Sequence, residues 1–179
     1  MNDDLTDAAA ETGAPPAIDA EQVEQVKEAA LGFADGLLTA FRLEGSSSAT
    51  VEGNDIEVRI DAAAGHDGPN GLGLLIGPGG RTLLAIQDLA RVAAQRRLGD
   101  HETRLRIDVA GYREKRRVAL ERFARSVAEM VKESGVARSL DPMPSADRKV
   151  IHDALTAIDG VTSRSEGEDP NRRIIVSPA

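Results

Sequence analysis

Residues 71–90, GLGLLIGPGGRTLLAIQDLA, carry the reading on which the fold turns. Apolar Leu74, Leu75 and Ile76 run into Gly77-Pro78-Gly79-Gly80, and an amphipathic stretch headed by Arg81 begins at once. A glycine loop that opens a helix presents backbone N–H groups and the positive end of the helix dipole, so it suits an anion. Two nucleotide-binding readings fail on spacing. The dinucleotide fingerprint needs G-x-G-x-x-G, whereas Gly71, Gly73 and Gly77 stand as G-x-G-x-x-x-G. A Walker A loop ending at Gly80-Arg81-Thr82 would need glycine at Leu75 and lysine at Arg81.

The stretch does fit a KH loop, in which an apolar helix ends in I-G-x-x-G and hands over to a second helix. The GxxG backbone then clamps about four nucleotides of a single strand. Gly77, Pro78, Gly79 and Gly80 would form that contact, the glycines letting backbone approach phosphate while Arg81 adds charge. A tight helix–helix turn without a ligand is the alternative.

Outward from the loop, periodicity alternates between helix and strand. Val23, Val26, Ala30, Phe33, Leu37 and Phe41 recur at helical spacing and predict a core-facing helix over 20–42, with Asp19 as cap and Gln22 three residues on. TVEGNDIEVRID, residues 50–61, changes to period two with a turn at Gly53-Asn54, which predicts a hairpin or two short strands. A helix over 83–97 buries Leu83, Ile86, Ala90 and Ala93, with Gly99 past its end. Leu105, Ile107 and Val109 alternate with Arg104, Arg106 and Asp108, a strand with a largely basic solvent side. A long helix over 112–134 carries Leu120, Phe123, Val127 and Val131 and ends at Gly135. Beyond SLDPMPS, a helix over 146–157 capped by Ser145 leads to strand-like VTSR, the turn EGEDPN and strand RRIIV. This order predicts an α+β chain of two small units: an acidic disordered arm 1–18, a KH-like helix/sheet unit 19–110, and a second α+β unit 111–179 that includes the long helix.

The net charge of −8 hides an asymmetry. Residues 1–70 hold 15 acids against three bases, a net of −12, while residues 71–179 hold 19 bases against 15 acids, a net of +4. An acidic arm joined to a surface that meets polyanions has this pattern, and so does a solubilising tail on ordinary solvated faces. Arg113, Lys115, Arg116 and Arg117 crowd the start of the long helix, where cations oppose the dipole unless they meet an anion or are screened by Glu114 and Glu121. The absence of cysteine excludes disulfides, thiolate metal sites and cysteine nucleophiles. No run reaches the length of a membrane span and the first residues are acidic where a signal peptide is basic, so a soluble cytoplasmic protein is expected.

Arg148-Lys149-Val150-Ile151-His152 is the second motif. A spacing of four puts Arg148 and His152 on one helical face, about 6 Å apart along the axis, where guanidinium and imidazole could hold one phosphate or stack on one base. A solvated basic pair, or a histidine packed on neighbouring strands, is the bland alternative.

In combination, LLIGPGGRTLLAIQDL, IDVAGYREKR, LDPMPSADRKVIH and SEGEDPNRRIIV resemble the Jag family of bacterial RNA-binding proteins, which join a KH domain to a domain named for its Arg-xxx-His motif. The resemblance runs from about Val51 to the C-terminus. It implies single-stranded RNA binding without catalysis or cofactor, with single-stranded DNA as a second candidate, and a complex with a smaller KH-domain protein or a second copy of the chain. The contact residues would be Gly77, Pro78, Gly79, Gly80 and Arg81 in the loop, then Arg148, Lys149, His152, Arg172 and Arg173. Three departures stand out. Pro78 and Gly79 occupy positions where the family usually has basic residues, which predicts a weaker grip. Pro144-Ser145 stands where Asn-Pro often opens the Arg-xxx-His helix. An acidic arm stands where many members carry a further N-terminal domain, so no membrane role is expected.

Phe33, Phe41, Phe123 and Tyr112 are the only aromatics, and the phenylalanines fall on predicted core stripes, which argues against a stacking sheet. His66, His101 and His152 form no triad, HExxH or paired-carboxylate signature, so an enzyme is not expected. The competing reading is a protein-interaction module that keeps both folds and has lost strong RNA contact.

Overall fold

A computed structural model describes residues 20–63, 71–98 and 103–179. The acidic arm, the Asp19 cap, Gly99, His66 and His101 lie outside the described residues.

The chain runs α1 (Ala20–Phe41), β1 (Gly45–Glu52), β2 (Asp55–Ala62), α2 (Gly73–Ile76), α3 (Arg81–Leu98), β3 (Arg104–Val109), α4 (Tyr112–Ser134), β4 (Arg138–Ser139), α5 (Ser145–Thr156), β5 (Val161–Glu166) and β6 (Arg173–Pro178). The fold is α+β, with two three-stranded sheets ordered β1-β2-β3 and β4-β6-β5. In the first sheet β1 and β2 form the expected hairpin, and β2 pairs with β3 in parallel, the α2–α3 segment making the crossover. Ile56, Val58 and Ile60 stand opposite Leu105, Ile107 and Val109, so every pair on the inner face is buried. Those residues pack on α1 and α3 as one core, and a second core joins Leu120, Val127, Val131, Ile151, Leu155, Ile174 and Val176. Each large aliphatic side chain removed from water this way contributes about 1.5–3 kcal/mol, enough for each cluster to hold its own sheet to its helices.

Several predicted faces are rotated. On α1 the buried stripe is Val23, Val26, Ala30, Ala34 and Leu38, while Phe33 and Leu37 only edge the core and Phe41 is 49% exposed. On α3 Ala94, not Ala93, is buried, and on α4 Ala124 and Ala128 face inward while Phe123 is 44% exposed. On α1 and α4 the reason is shared: small residues let the packed elements approach closely, so alanine takes the centre of the interface and the bulkier neighbour moves to its rim. Phe41 and Phe123 are therefore surface aromatics rather than core ones.

Two polar residues also depart from the places their periodicity predicts. Asp108 is buried rather than on a solvent side, because its Oδ1 accepts from the Arg113 backbone N–H (3.2 Å) and caps the start of α4. Ser145 is the first residue of α5, not its cap; Pro144 takes the cap position and no side chain closes that end.

Candidate nucleic-acid interface

The loop at the head of α3 is a one-turn helix, α2, followed by Gly77 and a 3₁₀ turn over Pro78–Gly80. Gly77 N–H donates to the Gly73 carbonyl (2.9 Å) and Gly80 N–H to the Gly77 carbonyl (3.2 Å), so the loop is pinned at both ends by its own backbone. Gly79 and Gly80 differ in what surrounds them. Gly79, at φ +61°, is exposed, and a Cβ there would meet no atom within 4 Å. At Gly80, φ +78°, a Cβ would lie 2.7 Å from Cε1 of Tyr112. One glycine thus leaves space at the surface, and the next lets the loop touch the first residue of α4. Pro78 and Arg81 are exposed; the Arg81 N–H donates to the Pro78 carbonyl, and its guanidinium has no hydrogen-bond or ion-pair partner among the described residues.

Behind the loop, a groove of about 660 Å³ runs between α3 and β3, lined by Leu84, Gln87, Arg91, Arg104, Arg106 and Arg113. Glu52, Asp55 and Glu57 line it as well, and Asp55 pairs loosely with Arg104 at 3.9 Å. Gln87 is a site residue that the sequence reading missed. It is buried, donates from Nε2 to the Leu105 carbonyl (2.5 Å) and accepts at Oε1 from the Ile107 N–H (2.7 Å), satisfying the outer edge of β3. A glutamine at a core-facing position of a helix was the available signal.

The basic cluster at the start of α4 divides by partner. Arg117 pairs with Glu114 at 2.6 Å and with Glu121, which holds the Glu114 carboxyl below its ordinary value and the Arg117 guanidinium above its own. Arg116 pairs with buried Asp147 at 2.9 Å, tying α4 to α5. Arg113 donates to the Ile107 carbonyl (3.3 Å) and to Gln87 Oε1 (3.4 Å), both neutral, so its charge is not cancelled by an ion pair among the described residues. Burial raises the Tyr112 phenol above its ordinary value, Arg116 opposing the shift and Asp147 reinforcing it, so the hydroxyl stays protonated at neutral pH.

The Arg-xxx-His motif is not the matched pair that its spacing suggests. Arg148 is only 7% exposed, and its Nη1 donates to the Met143 carbonyl and to Asp169 Oδ1, each at 2.7 Å, while Nη2 reaches Asp169 Oδ2 at 3.3 Å. The bond from Arg148 holds the Asp169 carboxyl below the usual carboxylate range, with Arg172 contributing. Its guanidinium is therefore engaged in fixing the 169 loop against the entry to α5. His152 is exposed, with Nδ1 2.6 Å from Ser163 Oγ on β5. Lys149 is exposed and pairs with Asp153 at 2.5 Å. Arg172 is exposed beside the 169 loop, and Arg173 shares Glu166 with Arg164, at 3.6 and 3.0 Å. Asp169 and Ser163 were both missed, since neither carries a local signal for a partner 21 or 11 residues away.

Among the described residues no group of three or more acidic or histidine side chains is placed to hold a metal ion, and no described helix is long and apolar enough to cross a membrane.

Known proteins are similar to this chain in sequence. Residues 118–178 match the family of Arg-xxx-His domains, from the second turn of α4 through β6. The chain is 32% identical over 163 residues to the RNA-binding protein KhpB of Clostridium symbiosum, covering 91% of this chain and 71% of that protein. It is 32% identical over 159 residues to KhpB of Bacillus subtilis, covering 88% and 72%. Against KhpB of Lactiplantibacillus plantarum the identity is 46% over 105 residues, 59% of this chain, and the chain spans 32% of that relative's length. Alignment over 91% of the chain, with an Arg-xxx-His domain at its C-terminal end, places the chain in the Jag family of bacterial RNA-binding proteins.

Proposed function

We propose that the chain is a non-catalytic single-stranded RNA-binding protein of the cytoplasm, a post-transcriptional regulator or RNA chaperone built from a KH-type unit, 19–110, and an Arg-xxx-His unit, 111–179. The single observation that carries this reading is the exposed Gly79, with open space around it and Arg81 beside it, at a backbone loop that opens a long helix. Phosphate can approach the backbone there without a side chain in the way. Gly77, Pro78, Gly79, Gly80 and Arg81 form the first contact. Lys149, His152, Arg172 and Arg173 form the second, and Arg148 supports it by holding Met143 and Asp169 in place. The relatives' name, RNA-binding protein, agrees with this reading. Single-stranded DNA is the alternative ligand, and a smaller KH-domain protein or a second copy is the proposed protein partner. No cofactor is needed for any of these roles.

The test is fluorescence anisotropy of a labelled single-stranded RNA pool against the wild type and Gly79→Asp at two salt concentrations. Saturable binding that weakens with salt and falls about tenfold in the variant supports the reading. Absence of binding by folded wild type at low salt sinks it.

A protein-interaction module is the second reading, favoured by the engagement of Arg148 with Asp169 and by the −12 charge of the first 70 residues. Under it, pull-downs recover partners equally well after nuclease treatment, whereas RNA-dependent recovery is nuclease-sensitive.

A further inference from the structure

The GPGG loop and α5 face each other across a cleft of about 280 Å³ that neither the loop nor the Arg-xxx-His motif explains. Its walls are mostly apolar, from Leu84, Tyr112, Leu120, Pro144 and Val150, the Gly79-Gly80 backbone forms one side, and the ion-paired Arg117 and Asp147 line it as well. Arg81 and Arg113 stand at it without carboxylate partners among the described residues, whereas Arg116 is already matched to Asp147. Its volume lies near the lower edge of small-ligand sites, roughly 300 Å³, which suits one planar ring and not a partner helix. Leu84 is 53% exposed, and it and Arg113 also line the groove between α3 and β3, so cleft and groove are neighbours that share these two side chains.

We infer that this cleft receives one nucleobase of the same strand whose backbone the GPGG loop holds, so that both units act on a single strand. The inference rests on the RNA-binding reading above. An apolar slot with unpaired cations beside it matches a nucleotide, whose base is a flat apolar ring and whose phosphate is an anion. Tyr112 contributes a half-buried aromatic ring with a phenol that remains a donor at neutral pH. The strand reaches α5 on the side of Ala146 and Val150. Successive helical residues turn by about 100°, which puts His152 on the opposite side of α5 from Val150. The Arg-xxx-His face is therefore a separate contact, and the junction is the place where the two units share a strand.

Tyr112 is the only tyrosine and the chain has no tryptophan, so its intrinsic emission reports on the cleft alone. The full chain is titrated with a short oligouridylate and with the matching abasic ribose-phosphate oligomer, following oligomer anisotropy and tyrosine emission together. The inference predicts that oligouridylate quenches the emission with the same midpoint as the anisotropy, and that the abasic oligomer binds with little quenching. Ala146→Leu, at an exposed position of the cleft wall, should reduce both affinity and quenching, by about fivefold in affinity. Binding of oligouridylate with unchanged emission, equal quenching by the abasic oligomer, or an unaffected Ala146→Leu variant overturns the inference and leaves the RNA-binding reading standing. Absence of any anisotropy change overturns both.

Discussion

The GPGG loop and the Arg-xxx-His helix answer the same sequence-level question in opposite ways. At the loop, backbone is left accessible: Gly79 has nothing near it, and the Arg81 guanidinium has no described partner. On α5, the motif's arginine is buried and bonded to Asp169 and Met143, while its histidine faces outward. Two motifs that read alike as basic contact points thus differ in role. A short spacing says which residues share a face, but burial and pairing decide which of them can meet a ligand. The contrast separates stability from binding, and four measurements test it.

The largest effect is expected from Arg148→Ala. Losing the buried guanidinium removes packing and strands the Met143 carbonyl, which should cost about 2 kcal/mol in urea unfolding. RNA affinity measured far below the unfolding midpoint should fall less than in Gly79→Asp, because Arg148 only positions the second contact. A variant with wild-type stability and abolished binding would reverse the assignment and make Arg148 a contact residue.

Gly79→Asp is the mirror experiment. The open surroundings admit the side chain and aspartate tolerates a left-handed backbone, so the melting temperature should barely move. A carboxylate set against phosphate should weaken RNA binding about tenfold, the equivalent of ~1.4 kcal/mol. Loss of fold in place of loss of affinity would mean that the loop is structural.

His152→Ala should lower affinity about threefold with little change in stability, because the exposed imidazole bonds only to Ser163 among the described residues. The slope of log affinity against log salt should flatten less than for an Arg81→Ala variant, which removes a full cation. Equal slopes for the two would place His152 among the charged contacts.

The smallest effect concerns acid. The folded-state value of the Asp169 carboxyl is depressed, so its contribution to stability is fully present at neutral pH and fades as pH falls through that value, below the usual carboxylate range of about 4. Solvent exposure of Asp169 keeps the contribution small. The wild-type urea midpoint should decline more steeply on acidification than that of Asp169→Asn. Parallel decline in both proteins would show that the 148–169 pair adds nothing measurable.

Most of the architecture was legible because it is written in local period. The switch between alternation in Ile56-Glu57-Val58-Arg59-Ile60 and helical spacing in α3 and α4 marks the elements, and Gly135, in the left-handed region at φ +66°, ends α4 as expected. Less legible was which residue of an apolar stripe lies deepest. Phe123 and Ala124 both fit the pattern of α4, and only the close approach of β6 and α5 puts the alanine inside. The cap of α4 was illegible for a related reason: Asp108 sits in a strand by period but is recruited by the helix that follows.

The alternation of elements, the α+β class, the glycine loop heading α3 and the position of the Arg-xxx-His helix all follow from sequence, because each depends on neighbours within a turn or two. The parallel pairing of β2 with β3, the contact of Gly80 with Tyr112, and the choice of which arginines keep an uncancelled charge belong to tertiary structure. Arg116 and Arg148 find their carboxylates 31 and 21 residues away, while Arg81 and Arg113 find none among the described residues. Charge pairing depends on distance in space, and local spacing does not encode it.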